Sequence, residues 1–358
     1  VGNMVSAGMS HPYLNLPETA FWRAGVADAD PAAPLNLYRP KFPLDRDAGI
    51  ATAGSCFAQH VGRALRDAGM NVLDAEPPPL ACPDPVARAY GFGIYSGRYG
   101  NIYTARQLAQ LIADAQAGQV DPTAIWPRAG RFHDALRPTI EPGGFVSVEE
   151  VRALRLDHLR ALCGLFAATS CFIFTLGLTE CWADRQSGRV YPTCPGVVAG
   201  AFDPARHQFL NLRHAEVLAD LERARALLHE FNPAMRMVLT VSPVPLTATA
   251  SGGHVLAAST RSKAVLRAAA DEFAELHDDV DYFPAYEIVT NPAAKGGFFH
   301  PNLREVTAPG VQAVMTVFLA AHGLRRQARP QPDAVGRSDA EMAEDLICEE
   351  ILLEAKRK

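Results

Sequence analysis

The chain has 358 residues, 48% of them hydrophobic and 20% charged, with a formal net charge of -5. This composition suits a globular protein with one large domain or two smaller ones. Lys and Arg cluster only at Lys356-Arg357-Lys358, which excludes a nucleic-acid footprint, and no apolar run is long enough to cross a bilayer.

Residues 1–45 are rich in Pro, Ala and Asp and lack periodicity. They read as an irregular lead-in, with Phe21, Trp22, Leu37 and Tyr38 as the side chains to pin it down. The structured part runs over 46–326. Ile50 to Ala53 predicts a strand that ends on Gly54 and is followed at once by Ser55 and Cys56. Phe57 to Met70 then carries Phe57, Val61, Leu65 and Ala68 at helical spacing. Asn71–Asp74 reads as a second short strand, stopped by Pro77-Pro78-Pro79. Thr104 caps a helix through Ala115. Residues 116–146, with many Pro and Gly, form a long excursion carrying Trp126 and Phe132.

Ser147 with Glu150 has the spacing of a capping box and opens a helix to about Ala168. Cys171–Leu176 is a continuous apolar run of strand length. Residues 181–205 hold a hairpin or loop around Ser187-Gly188, with Val190-Tyr191 as a short strand. A long amphipathic helix covers His214 to Phe231, and Met235–Val241 is a buried strand stopped by Ser242-Pro243. Ser259 is expected to cap a helix to about His277, Val280–Phe283 is a last strand, and Pro309 opens a helix to His322. In the polar tail, 327–358, a helix from Ser338 to Lys356 would present Met342, Leu346, Ile347, Ile351 and Leu352 as an apolar stripe. That stripe suits docking or a homo-oligomer contact.

Strands alternating with helices of this length predict a parallel sheet covered on both faces, with ligands at the carboxyl ends of its strands. The seven cysteines form no CxxC pair, so neither a zinc site nor a disulfide framework is expected. Val1 to Tyr13 lack a basic start followed by an apolar core, so the expected location is cytoplasmic.

Gly54-Ser55-Cys56 is the segment where chemistry is expected. Strand, tight turn, nucleophile and helix hold one reactive atom against the donor groups and partial positive charge of a helix start. A thiol there has a lowered pKa, and thiolate is its reactive form. The plainer alternative is a small-residue turn with an inert cysteine.

Several further blocks follow in order. They are Tyr99-Gly100-Asn101-Ile102-Tyr103-Thr104, Thr175-Leu176-Gly177-Leu178-Thr179-Glu180, Thr240-Val241-Ser242-Pro243-Val244, Tyr282-Phe283-Pro284-Ala285-Tyr286-Glu287 and His300-Pro301-Asn302. Together with Ala51–Ala58 the series resembles the GSCFA-domain family, named for Gly54–Ala58, over about 37–322. That family is similar to SGNH (GDSL-type) hydrolases. The resemblance implies a flavodoxin-like three-layer α/β/α domain with a central parallel sheet, and cleavage or transfer of acyl esters.

In the SGNH Gly-Asp-Ser motif the third residue is the nucleophile, which implies Cys56 here, with its own amide N–H as an oxyanion donor. Ser55 is the alternative nucleophile, with helix capping as its structural role. His300 is the implied base, and His60, one turn past Cys56, is its local rival. The family pattern places an aspartate three residues before that histidine; here the position is Gly297. A Cys–His pair needs the third group less than serine does. Glu287 and Asp281 are the candidate orienting acids, Glu287 preferred.

The resemblance implies Gly100 and Asn101 as further oxyanion donors, with Thr179 at the position of the usual asparagine. Glu180 is implied to orient His300 or a substrate hydroxyl, or else to pair with Arg98 or Arg185. Trp182 lines the pocket or packs.

The leading expectation is a cysteine-dependent acyl-transfer enzyme, whether esterase, thioesterase or O-acyltransferase, acting on a small-molecule or glycan ester. No phosphate-cradling glycine loop is visible, so an acyl-CoA donor cannot be read from the sequence and no cofactor is named. The alternative is a non-catalytic carbohydrate- or partner-binding domain, favoured by Gly297 and Thr179. A redox or metal site on Cys171, Cys181 and Cys194 is the weakest reading.

Overall fold

A computed structural model describes residues 11–34, 36–324 and 352–353. Four parallel strands form the central sheet: β1 (Ile50–Gly54), β4 (Cys171–Leu176), β8 (Arg236–Val241) and β9 (Val280–Tyr282), in the order β1-β4-β8-β9. Register aligns Gly54 with Thr175 and Thr175 with Thr240. The expected strand at Asn71–Asp74 contracts to one parallel bridge, Ile50 with Val72, on the outer edge of β1.

Helices cover both faces, giving the α/β/α layering. On one side lie α1 (Cys56–Asp67), α7 (Ala285–Val289) and α8 (Ala308–Ala321). Phe57, Val61 and Leu65 pack there with Ile50, Cys171, Ile173, Val238 and Phe318. On the other side lie α3 (Ala105–Ala117), α4 (Val148–Ala168), α5 (His214–Phe231) and α6 (Val255–Leu276). Leu108, Leu159, Leu221 and Phe273 meet Phe172, Phe174, Met237 and Leu239 in that layer. The period of two along each strand decides which cluster a residue joins, and burial on both faces explains why the strands read as unbroken apolar runs.

The remaining elements are a short helix α2 (Asp84–Ala89), a hairpin of β2 (Ile125–Arg128) with β3 (Arg131–Asp134), and a small antiparallel sheet. That sheet has β5 (Glu180–Asp184) between β6 (Val190–Tyr191) and β7 (His207–Asn211). The long excursion and the Ser187-Gly188 loop therefore hold two hairpins, and α2, α7 and β7 are additions to the sequence reading.

Helix starts follow local chemistry closely. Thr104 and Gln107 form a full capping box at α3, and the Ser147 hydroxyl accepts the Glu150 N–H at 3.1 Å at α4. At α6 the expectation is corrected. The helix begins four residues before Ser259, capped by the His254 ring, while the Ser259 hydroxyl turns inward and accepts the Leu246 N–H. The lead-in is corrected in part: Tyr38 enters the core as expected, joined by Phe42 and Leu44, but Phe21, Trp22 and Leu37 are exposed. Apart from residues 352–353, the expected C-terminal helix lies outside the described residues, as does Cys348.

Candidate active site

From β1 the chain turns one way, through α1, to the bridge at Val72, while β4 lies on the other side of β1. Crossovers therefore diverge between β1 and β4, and the crevice at their carboxyl ends is the place where open α/β sheets bind ligands. Gly54-Ser55-Cys56 and Gly177 meet there.

Gly54 has φ +143°, and a Cβ on it would stand 2.5 Å from the Thr175 carbonyl oxygen and 2.8 Å from the Thr175 nitrogen. Only glycine lets the chain leave β1 this close to β4. The Ser55 N–H then donates to the Thr175 carbonyl at 3.2 Å, and Cys56 begins α1. The thiol thus sits in the first turn of a twelve-residue helix, in a residue 5% exposed.

Ser55 occupies the capping position, yet its side chain caps nothing. It is 3% exposed, and its hydroxyl oxygen makes no hydrogen bond to the protein. The expected capping role is therefore absent, and a buried hydroxyl is left without a protein partner next to Cys56.

The block 99–103 closes over this point. The Ile102 N–H donates to the Gly54 carbonyl at 2.8 Å, and the Tyr103 carbonyl accepts the N–H of Gly177 at 2.8 Å and of Leu178 at 3.1 Å. Gly100 takes φ +69°, which lets the backbone turn here. The Asn101 carboxamide oxygen lies 2.5 Å from the Tyr95 hydroxyl and 3.3 Å from Gln59 Nε2. The same Tyr95 hydroxyl is 3.1 Å from the Ser55 carbonyl. A small cavity borders Gly100 and Asn101 and is lined also by Gln59, Ile94, Tyr95 and Ile140.

The remaining expected residues have partners of their own. Thr179 is fully buried, and its hydroxyl donates to Asn211 at 2.8 Å. Glu180 accepts the Thr249 hydroxyl at 2.7 Å and pairs with neither Arg98 nor Arg185. Glu287 is held by Arg267 at 2.5 Å and by the Tyr282 hydroxyl at 2.9 Å. Asp281 takes the Tyr38 hydroxyl at 2.8 Å and the N–H groups of Lys41 and Tyr282 at 2.9 and 2.8 Å. Both acids proposed to orient His300 thus have other partners. Trp182 stacks edge-on with Phe202 and lies beside Phe209.

His300 opens a tight loop built by its own motif. Its N–H donates to the Glu305 carbonyl at 2.8 Å, and the Asn302 carboxamide oxygen accepts from Arg304 and Glu305. Phe298 and Val306 anchor this loop in the apolar cluster that also holds Phe57, the residue after Cys56. The His300 ring is joined by no hydrogen bond to Ser55 or Cys56. His60 lies beside Phe57, with ring centroids 6.0 Å apart. Burial first, and then the charge of Arg63, hold its pKa down to about 4, so it is neutral near pH 7 and a weak base.

The other cysteines do not converge. Cys171 and Cys181 fall in the clusters on opposite sides of the sheet, and burial pushes both thiols up to about 12. Cys194 is pushed up to about 11 for the same reason. Among the described residues no group of three or more His, Cys, Asp or Glu could hold a metal ion, and no helix is long and apolar enough to cross a membrane.

Sequence reasoning missed Lys263. It is buried on α6, and its ammonium donates to the Gly177 carbonyl at 2.6 Å. A single lysine in an amphipathic helix carries no signal that separates it from a surface residue.

The GSCFA family model matches residues 49–318, most of the chain, and the protein belongs to the GSCFA family. No curated protein matches it.

Proposed function

We propose that this GSCFA-family protein is a cysteine-dependent acyl-transfer enzyme acting on an ester or thioester of a small molecule or glycan. The observation that carries the reading is the placement of Cys56. It opens α1 at the carboxyl end of β1, beside a buried hydroxyl with no protein partner. The amino terminus of α1 favours thiolate, and the Cys56 amide with the Asn101 carboxamide supplies donors for an oxyanion.

In the first step His300 takes the proton of the Cys56 thiol, the sulfur attacks the acyl carbon, the bond to the leaving oxygen or sulfur breaks, and His300 gives that proton to the leaving group. Water or an acceptor hydroxyl then attacks the thioester, His300 takes its proton, and Cys56 is released. With Glu287 and Asp281 held by other partners, this scheme uses a Cys–His pair. The His300 loop has to bring the ring within hydrogen-bond reach when substrate binds.

Intact-mass measurement after incubation with p-nitrophenyl acetate tests the reading. Wild type gains one acetyl group on Cys56, and Cys56→Ala gains none there. An unmodified Cys56, together with unchanged ester cleavage by Cys56→Ala, overturns it. The second reading, a non-catalytic binding domain, draws on Gly297 and on the commitment of the Thr179 hydroxyl to Asn211. It predicts carbohydrate binding that survives Cys56→Ala.

A further inference from the structure

Lys263 is 4% exposed. Its ammonium holds the carbonyl of Gly177, and Gly177 is the residue that fits against Ser55: a Cβ there would lie 3.0 Å from the Ser55 Cβ and 3.1 Å from the Tyr103 ring. The residue before it, Ser262, accepts the Thr179 N–H at 2.9 Å. One turn of α6 thus grips both ends of the turn 177–179.

Burying an ammonium is costly, and an apolar side chain would fill the same volume without that penalty. A charge kept at this place has an electrostatic consequence. Two other features of the same strand end also favour negative charge: the amino terminus of α1 and the unpartnered Ser55 hydroxyl.

We propose that Lys263 is a positioning residue of the candidate site, pinning Gly177 against Ser55 and giving the strand end a positive potential matched to an anionic group at Cys56. The anionic groups it suits are the Cys56 thiolate and the oxyanion of its adduct. The inference rests on the reading of Cys56 as the reacting residue.

The test compares two alkylating reagents on the full chain, with Cys56 followed by peptide mass. Iodoacetate and iodoacetamide each lose iodide and form the same carbon–sulfur bond, but iodoacetate is anionic. The wild-type rate ratio, iodoacetate over iodoacetamide, should exceed that of glutathione roughly tenfold, the scale of one buried charge acting across a site. Lys263→Met should bring the ratio down to that of glutathione, and Lys263→Arg should keep it. A merely structural role would change both rates together and leave the ratio alone.

A wild-type ratio no higher than that of glutathione overturns the inference without any variant, so it stays testable even if Lys263→Met does not fold. A folded Lys263→Met with an unchanged ratio overturns it too. Absence of an acetyl adduct alongside a Lys263-dependent ratio rejects only the enzyme reading. An adduct with a flat ratio rejects only the role of Lys263.

Discussion

Two regions of the same sheet treat carboxylates and hydroxyls in opposite ways. Around β9 and α7 the carboxylates have full sets of partners: Asp281 accepts three hydrogen bonds, and Glu287 takes Arg267 and Tyr282. Along β1, β4 and β8 the hydroxyls of Thr52, Ser55, Thr175 and Thr240 are buried with no protein partner. Thr175 and Thr240 are register neighbours, on the sheet face that α1 covers. An unpartnered buried polar group costs about 1–3 kcal/mol, so such groups gather where something other than stability is served. The carboxylates near β9 are held by the scaffold, and the unpartnered hydroxyl of Ser55 lies at the strand end where the proposed reaction would take place.

The largest effect expected from breaking this contrast is at the hinge of the unsatisfied region. Gly54→Ala would drive a Cβ into the Thr175 backbone, and a loss of about 3 kcal/mol or more in urea unfolding is expected. On the saturated side, Asp281→Ala leaves the buried Tyr38 hydroxyl and Lys41 N–H without their acceptor, for a loss of about 2–3 kcal/mol by the same assay.

Two capping positions make the contrast sharper. Thr104→Ala, which removes a working cap, should cost about 1 kcal/mol. Ser55→Ala removes a hydroxyl that bonds to nothing in the protein. Its stability in urea unfolding should hold or rise, by up to about 1–3 kcal/mol, while acetyl transfer to Cys56 falls at least about tenfold if the hydroxyl serves the substrate. A clear loss of stability would show that Ser55 belongs to the scaffold.

The smallest effect concerns pH. His60 has a folded pKa near 4, below its ordinary value of 6.5, so the unfolded chain binds its proton first as pH falls. Its share of stability is full above pH 6.5 and declines between there and pH 4. His60→Gln should flatten part of that slope in denaturant titrations. Other buried histidines with lowered values, His158 among them, would keep the rest.

Periodicity and caps made the strand Cys171–Leu176 and the starts of α3 and α4 legible, because those signals are local. The ordered motifs made the strand ends legible as well. What could not be read was the pairing of polar side chains. Asp281 looked available until Tyr38 and Lys41 arrived from the far end of the chain, and Glu287 until Arg267 reached it from α6. Nothing nearby in sequence announces such partners. Lys263 was hidden for the complementary reason, since helical spacing does not show which polar residue turns inward over a strand end.

The Tyr38–Asp281 contact joins residues 243 positions apart, and Lys41 adds a second tie across 240. During synthesis from the amino terminus, this clasp cannot close until β9 has emerged, so most of the chain is made while its leading segment is still unfastened. Tyr38, Phe42 and Leu44 belong to the cluster under α1 and α8. Their apolar surface is therefore exposed for most of the time the chain is being made, which makes the lead-in the segment most in need of protection from aggregation before the domain is complete.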